Sequence, residues 1–195
     1  MQLNLVIAVE ELPRIETLPL FEFDEDKKKW EEKALSWEEL EKICEFFWKN
    51  GFRKPNEIGI SNDRQPEGEV VNINFDKKSF SGTFPETNRI NYRNIYALIF
   101  DRDVEGKLRG VFYISSNYIA FQSVMEVASA RTLPSMTKLR NEINEILRKY
   151  GLYFRGLPSK PVIYKKFTKP SLKEIEKFVE TIEYIFKNEL PLFQG

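Results

Sequence analysis

The stretch Val71-Asn72-Ile73-Asn74-Phe75-Asp76-Lys77-Lys78-Ser79-Phe80-Ser81-Gly82-Thr83-Phe84 alternates apolar and polar residues on either side of a charged centre. Period-two alternation interrupted by a short polar cluster is the pattern of a β-hairpin with one buried face. A turn on Lys77-Lys78 pairs Phe75 with Phe80, Ile73 with Gly82 and Val71 with Phe84, so that all six share a face. Lys-Lys suits a type I′ turn poorly, so a type I turn begun by Asp76 is expected. Further along, residues 94–103 and 107–116 form a second hairpin pattern across Glu105-Gly106. Its expected register sets Ile99 against Phe112 and Ala97 against Ile114. Tyr96, Leu98 and Phe100 make the opposite face apolar as well, which predicts a central strand covered on both sides.

Working outward, Leu3, Leu5, Ile7 and Val9 alternate as a strand, and residues 57–61 read as another. Between them the acidic run Phe21-Glu22-Phe23-Asp24-Glu25-Asp26 is expected as a loop. The following Lys27-Lys28-Lys29-Trp30-Glu31-Glu32 is expected as a solvated segment or a frayed helical turn.

Helix signals are sharper. Ser36 and Glu39 make an S-x-x-E capping box ahead of a stripe of Trp37, Leu40, Cys44, Phe47 and Trp48, closed by Asn50-Gly51. Ser135 precedes a stripe of Leu139, Ile143, Ile146, Leu147 and Tyr150 that ends at Gly151. Ser171 and Glu174 form another capping box before Leu172, Ile175, Phe178, Val179, Ile182, Ile185 and Phe186. Residues 118–133 carry only Glu126 and Arg131 as charges, which predicts a helix buried against the sheet and broken by Pro134. Residues 162–167 are expected to hold a strand.

These patterns define an α+β class: an antiparallel, hairpin-rich sheet of about five or six strands packed against helices, with a C-terminal helical part. The chain of 195 residues is read as a single domain over 1–195, sheet-rich over about 1–116 and helical over about 117–190. Hydrophobic residues are 42% of the chain and include sixteen Phe, enough for a sizeable core. No apolar run approaches the length of a membrane span. One cysteine, Cys44, leaves no intrachain disulfide and points to a reducing, cytoplasmic setting. The Lys/Glu-rich usage with few Gln resembles that of thermophile proteins.

The chain contains no histidine. That excludes Ser-His-Asp and Cys-His catalysis, histidine zinc sites and any histidine general base. What remains is chemistry on carboxylates, Lys, Tyr, Ser or Thr, with Mg²⁺ as the fitting cofactor only where carboxylates converge. Formal net charge is zero, yet it is unevenly spread. Asp and Glu outnumber Lys and Arg between residues 10 and 45, whereas residues 148–173 hold eight Lys/Arg and no acid.

Three groups of residues carry possible chemistry. Asp101 and Asp103 project from one face of a strand, beside Glu105 and Lys107, and converging carboxylates bind Mg²⁺. Glu105-Gly106-Lys107, with Asp76 as a further acid, resembles the E-x-K half of the PD-(D/E)-x-K nucleases. That resemblance implies a Mg²⁺-dependent phosphodiesterase in which Asp101, Asp103 and Glu105 hold metal and Lys107 assists. Gly106 equally suits a tight hairpin turn, which would leave the same residues as a solvated strand end.

The second group is Lys149, Arg155, Lys160, Lys165, Lys166 and Lys169, interleaved with Tyr150, Tyr153, Phe154, Tyr164 and Phe167. Cations that meet phosphates beside aromatics that stack on bases suit nucleic acid, and the same charge suits an acidic protein surface or an acidic patch of a second copy. The third is the aromatic and acidic first helix. With its flanking strands, ending in Gly59-Ile60-Ser61-Asn62-Asp63, it resembles GyrI-like effector-binding domains, which implies a small-molecule ligand; the same aromatics equally fit plain core packing. The leading expectation is a non-catalytic binding protein that uses the segment 148–173, with the nuclease and the effector-binding domain as alternatives.

Overall fold

The computed structural model describes residues 18–61, 68–82 and 93–193. The expected strand at Leu3–Val9 and the partner position Phe84 lie outside them. In chain order the elements are β1 (Phe21–Asp24), β2 (Lys29–Glu32), α1 (Trp37–Lys49), β3 (Glu57–Ser61), β4 (Glu69–Asn74), β5 (Ser79–Gly82), β6 (Asn94–Ile95) and β7 (Ala97–Arg102). There follow β8 (Gly110–Ser115), β9 (Tyr118–Ser123), α2 (Met136–Arg148), β10 (Tyr153–Arg155), β11 (Val162–Lys166) and α3 (Leu172–Asn188). The class is α+β. Among the described residues the main sheet has eight strands rather than five or six, in the order β10-β11-β9-β8-β7-β3-β4-β5, and a second sheet has the order β2-β1-β6. Every pairing among the described residues is antiparallel.

The helices start where their caps place them. The hydroxyls of Ser36, Ser135 and Ser171 accept from the backbone N–H of Glu39, Lys138 and Glu174. All three helices cover one face of the main sheet. There Phe47 of α1 stacks on Phe100 of β7 at 4.1 Å, and Phe178 of α3 meets Phe112 of β8 edge-on at 6.1 Å. Ala97, Ile99, Val111, Tyr113, Tyr118, Ala120, Val162 and Tyr164 form a separate buried cluster on the other face. No helix among the described residues is long and apolar enough to cross a membrane.

Four expectations need correction. Residues 118–133 are not a buried helix: 118–123 are strand β9, and a short 3₁₀ turn covers Ala128–Arg131. The segment is poor in charge because β9 lies between β8 and β11, with Ile119 and Phe121 on the helix face and Tyr118 and Ala120 on the other. A strand apolar on both faces has no periodicity to set it apart from a buried helix. The turn that starts it is built by Ser115, whose hydroxyl accepts from the N–H of Asn117 and of Tyr118.

The β7–β8 register is one residue from the expected one: Ile99 faces Tyr113, and Phe100 faces Phe112. The last pair is Arg102 with Gly110, so the connection runs from residue 103 to 109 instead of turning tightly on Glu105-Gly106. Gly110 lets β8 approach β9 closely at this end. A Cβ there would lie 2.5 Å from the Phe121 ring and from the Gln122 carbonyl oxygen.

The β4–β5 register is shifted by two residues, with Ile73 opposite Phe80 and Val71 opposite Gly82, which preserves the buried face. Phe75 sits in the turn instead of facing Phe80. The turn is begun by Asn74, whose side chain accepts from Lys77 N–H at 2.9 Å, and Lys78 closes it with φ +51°.

The acidic run at 21–26 is not a loop: 21–24 and 29–32 pair as a hairpin. Its turn copies the other one. The Asp24 carboxylate accepts from Lys27 N–H at 3.0 Å, and Lys28 has φ +51°. Both turns read Asp/Asn-x-Asp-Lys-Lys, and the rings that follow them, Trp30 and Phe80, meet edge-on at 5.3 Å.

Candidate functional site

The expected nuclease residues lie at the β7–β8 end of the sheet, and each aspartate there has an arginine. Arg53 Nε stands 2.6 Å from Asp101 Oδ1 while directing its N–H at the Ile99 carbonyl, 3.0 Å away. The Arg53 backbone N–H donates to Asp101 O. Gly59 makes room for this side chain, since a Cβ there would lie 2.7 Å from Arg53 Nη2. Burial pulls the Arg53 pKa down, against the opposing charges of Asp101 and Glu57. Asp103 is 2.7 Å from Arg109 Nε across the mouth of the connection. Glu105 and Lys107 are exposed in that connection, where Gly106 has φ +82°. No group of three or more Cys, Asp or Glu among the described residues is gathered to hold a metal ion. Asp76 belongs to the other hairpin turn.

The residue between the two aspartates organises this end of the molecule. Arg102 follows Leu98 and Phe100 on the helix-covered face and is only 5% exposed. Its Nε donates to Leu108 O at 3.0 Å, Nη1 to Asn50 O at 2.9 Å and Nη2 to Glu183 Oε1 at 3.1 Å. The guanidinium lies over the Phe52 ring, 4.4 Å from its centre. It thereby fastens the end of α1, the 103–109 connection and α3 to one another. With Met125 and Leu192, these segments line an open cleft of about 1090 Å³. Sequence reasoning missed Arg102, though one signal was there: the alternation Leu98, Phe100, Arg102 puts an arginine on a core face.

The basic segment is split by the fold. Lys149 and the Tyr150 hydroxyl both donate to the Glu189 carboxylate. These bonds hold the Glu189 carboxyl below its ordinary range and push the Tyr150 phenol up to about 12. Lys169 pairs with Glu39 at 3.4 Å. Phe154 and Phe167 belong to the core beneath the helices. The remaining cations, Arg155, Lys160, Lys165 and Lys166, make no ion pair among the described residues, and all but the half-buried Lys165 are exposed. They surround β10, which among the described residues pairs only with β11 and is an edge of the main sheet. Tyr153 of β10 stands opposite Tyr164 of β11 and stacks on it at 5.8 Å, while 58% exposed. Arg155 and Lys166 lie two residues along their strands from Tyr153 and Tyr164, and so share that face.

The aromatic face of α1 is spent on packing. Trp37 stacks on Phe80, and Phe47 contacts Phe52, Phe100 and Phe112. Cys44 is fully buried, and burial raises its thiol pKa well above the ordinary value, which keeps it protonated. Comparisons with protein-family models, with curated proteins and with solved structures found no match.

Proposed function

We propose that this is a non-catalytic binding protein whose β10–β11 surface takes single-stranded nucleic acid. The observation that carries the reading is the exposed Tyr153, stacked on Tyr164 and flanked on one face by Arg155 and Lys166, neither of which has a carboxylate partner among the described residues. An exposed ring offers a platform to a base, and cations about one nucleotide away meet the phosphates. A single strand suits this geometry better than a duplex, whose bases are already stacked. The carboxylate chemistry has less support, because Asp101 and Asp103 are each neutralised by an arginine.

Anisotropy titrations with labelled single-stranded RNA and DNA, repeated across salt concentrations, test this. Phosphate contacts by Arg155 and Lys166 predict a slope of log K against log salt of roughly −1.4. Tyr153→Ala is expected to weaken binding by about tenfold at unchanged melting temperature. Absence of binding at low salt, or binding blind to salt, removes the proposal. Salt-dependent binding of polyglutamate with indifference to Tyr153→Ala would assign the surface to an acidic protein instead.

A further inference from the structure

The cleft beside Arg102 holds charge that the fold does not use. Its walls carry five cations, Lys49, Arg102, Lys107, Arg109 and Lys187, and three carboxylates, Asp103, Glu105 and Glu183. Arg102 is matched with Glu183 and Arg109 with Asp103. Lys49, Lys107 and Lys187 make no ion pair among the described residues, and Glu105 is the one carboxylate of the lining left unmatched there. The cleft therefore has an excess of positive charge, supplied from three parts of the chain. The walls are also apolar in part. Leu108, Met125, Phe186 and Leu192 line it, and Val104 stands 46% exposed on its lip.

We infer that this cleft is a binding site for a small organic anion: an apolar body carrying a doubly charged group such as a phosphate monoester. A volume of about 1090 Å³ admits a molecule of nucleotide size. The ammonium groups supply the charge-assisted donors, and the leucine, methionine and phenylalanine surfaces take the body. A helix-end role accounts for two of the three lysines. Lys49 and Lys187 lie in the last turns of α1 and α3, where a cation favours the helix dipole. Lys107 sits in the 103–109 connection and has no such role, so it separates the two accounts. None of these residues belongs to the β10–β11 surface, and the site stands or falls independently of it.

The test is isothermal titration of the full chain with 1-naphthyl phosphate and with inorganic phosphate, alongside backbone NMR. Saturable binding of naphthyl phosphate, about tenfold tighter than phosphate, with amide shifts centred on residues 104–108, is expected. Lys107→Gln is expected to weaken it severalfold, and Lys107→Gln with Lys187→Gln by tenfold or more, at an unchanged melting temperature. Failure of the wild type to bind either probe saturably, or equal affinity in wild type and double variant, overturns the inference. So does a shift pattern centred elsewhere. Tyr153→Ala, which disables the proposed nucleic-acid surface, is expected to bind naphthyl phosphate as the wild type does.

Discussion

Arg102 shows how one side chain can decide an interface. Its charge is buried, yet each of its hydrogen bonds goes to a separate segment, and among the described residues only Glu183 balances it. Truncation leaves the Asn50 and Leu108 carbonyls and Glu183 without their donor. Arg102→Ala is therefore expected to cost about 3–5 kcal/mol, read as a fall in the urea midpoint. Glu183→Gln is expected to cost less than about 1 kcal/mol, because the glutamate is nearly half exposed. A similar loss for both would mean that the ion pair, rather than the carbonyl contacts, does the fastening. Glu189 makes a pH-dependent counterpart at the ends of α2 and α3. Its folded pKa lies below the unfolded one, so its contribution is complete above the ordinary carboxylate range and fades as pH falls through the lowered value. Tyr150 works in the opposite sense: its contribution is present below the ordinary phenol range and fades as pH rises toward about 12. Carboxyl NMR titration is expected to show the Glu189 pKa rising in Tyr150→Phe and further in Lys149→Met. An unmoved value in both variants would refute the assignment.

Among the elements, the two matching hairpins offer a built-in replicate. Each turn has an Asp or Asn side chain that binds a lysine N–H, and a lysine held at φ +51°. The left-handed region costs a residue with a Cβ roughly 1 kcal/mol, so Lys28→Gly and Lys78→Gly are each expected to raise stability by about 0.5–1 kcal/mol. Asn74→Ala is expected to lower it by about 1 kcal/mol. Unequal responses to the two glycine substitutions would show that tertiary contacts, not the turn, set the strain. The same elements show what could be read from residues alone. The three serine caps located the helices because capping is a local event, settled within four residues. The hairpin at 71–82 revealed its buried face through alternation, but its loop length depended on Asn74 acting as the turn's acceptor. The run at 21–26 alternates as well, and its acidic residues hid a strand whose polar side faces water. Strand β9 and the β7–β8 register stayed hidden for one shared reason: with both faces buried, no polar residue marks inside from outside.

For the molecule as a whole, the described residues form one broad sheet with its helices on a single side and a smaller second sheet, and both proposed sites sit at the margins of the broad one. The basic segment could be seen in the sequence because it is continuous. What could not be seen is which cations the fold would neutralise, since Glu39 and Glu189 arrive from distant positions. The cleft was visible only in its 103–107 portion, because Lys49 and Lys187 come from helices separated by most of the chain. The strand order carries a further consequence, in time rather than in space. β7, β8 and β9 are consecutive in sequence and adjacent in the sheet, so they close short loops. β3 reaches β7, and β11 reaches β9, only across much longer stretches of chain, whose closure is slower. The meander around Phe112 is thus the natural nucleus of folding, with β3–β4–β5 and β10–β11 added later from either side. On that order, the two edges that the protein assembles last are the ones nearest to losing their structure first.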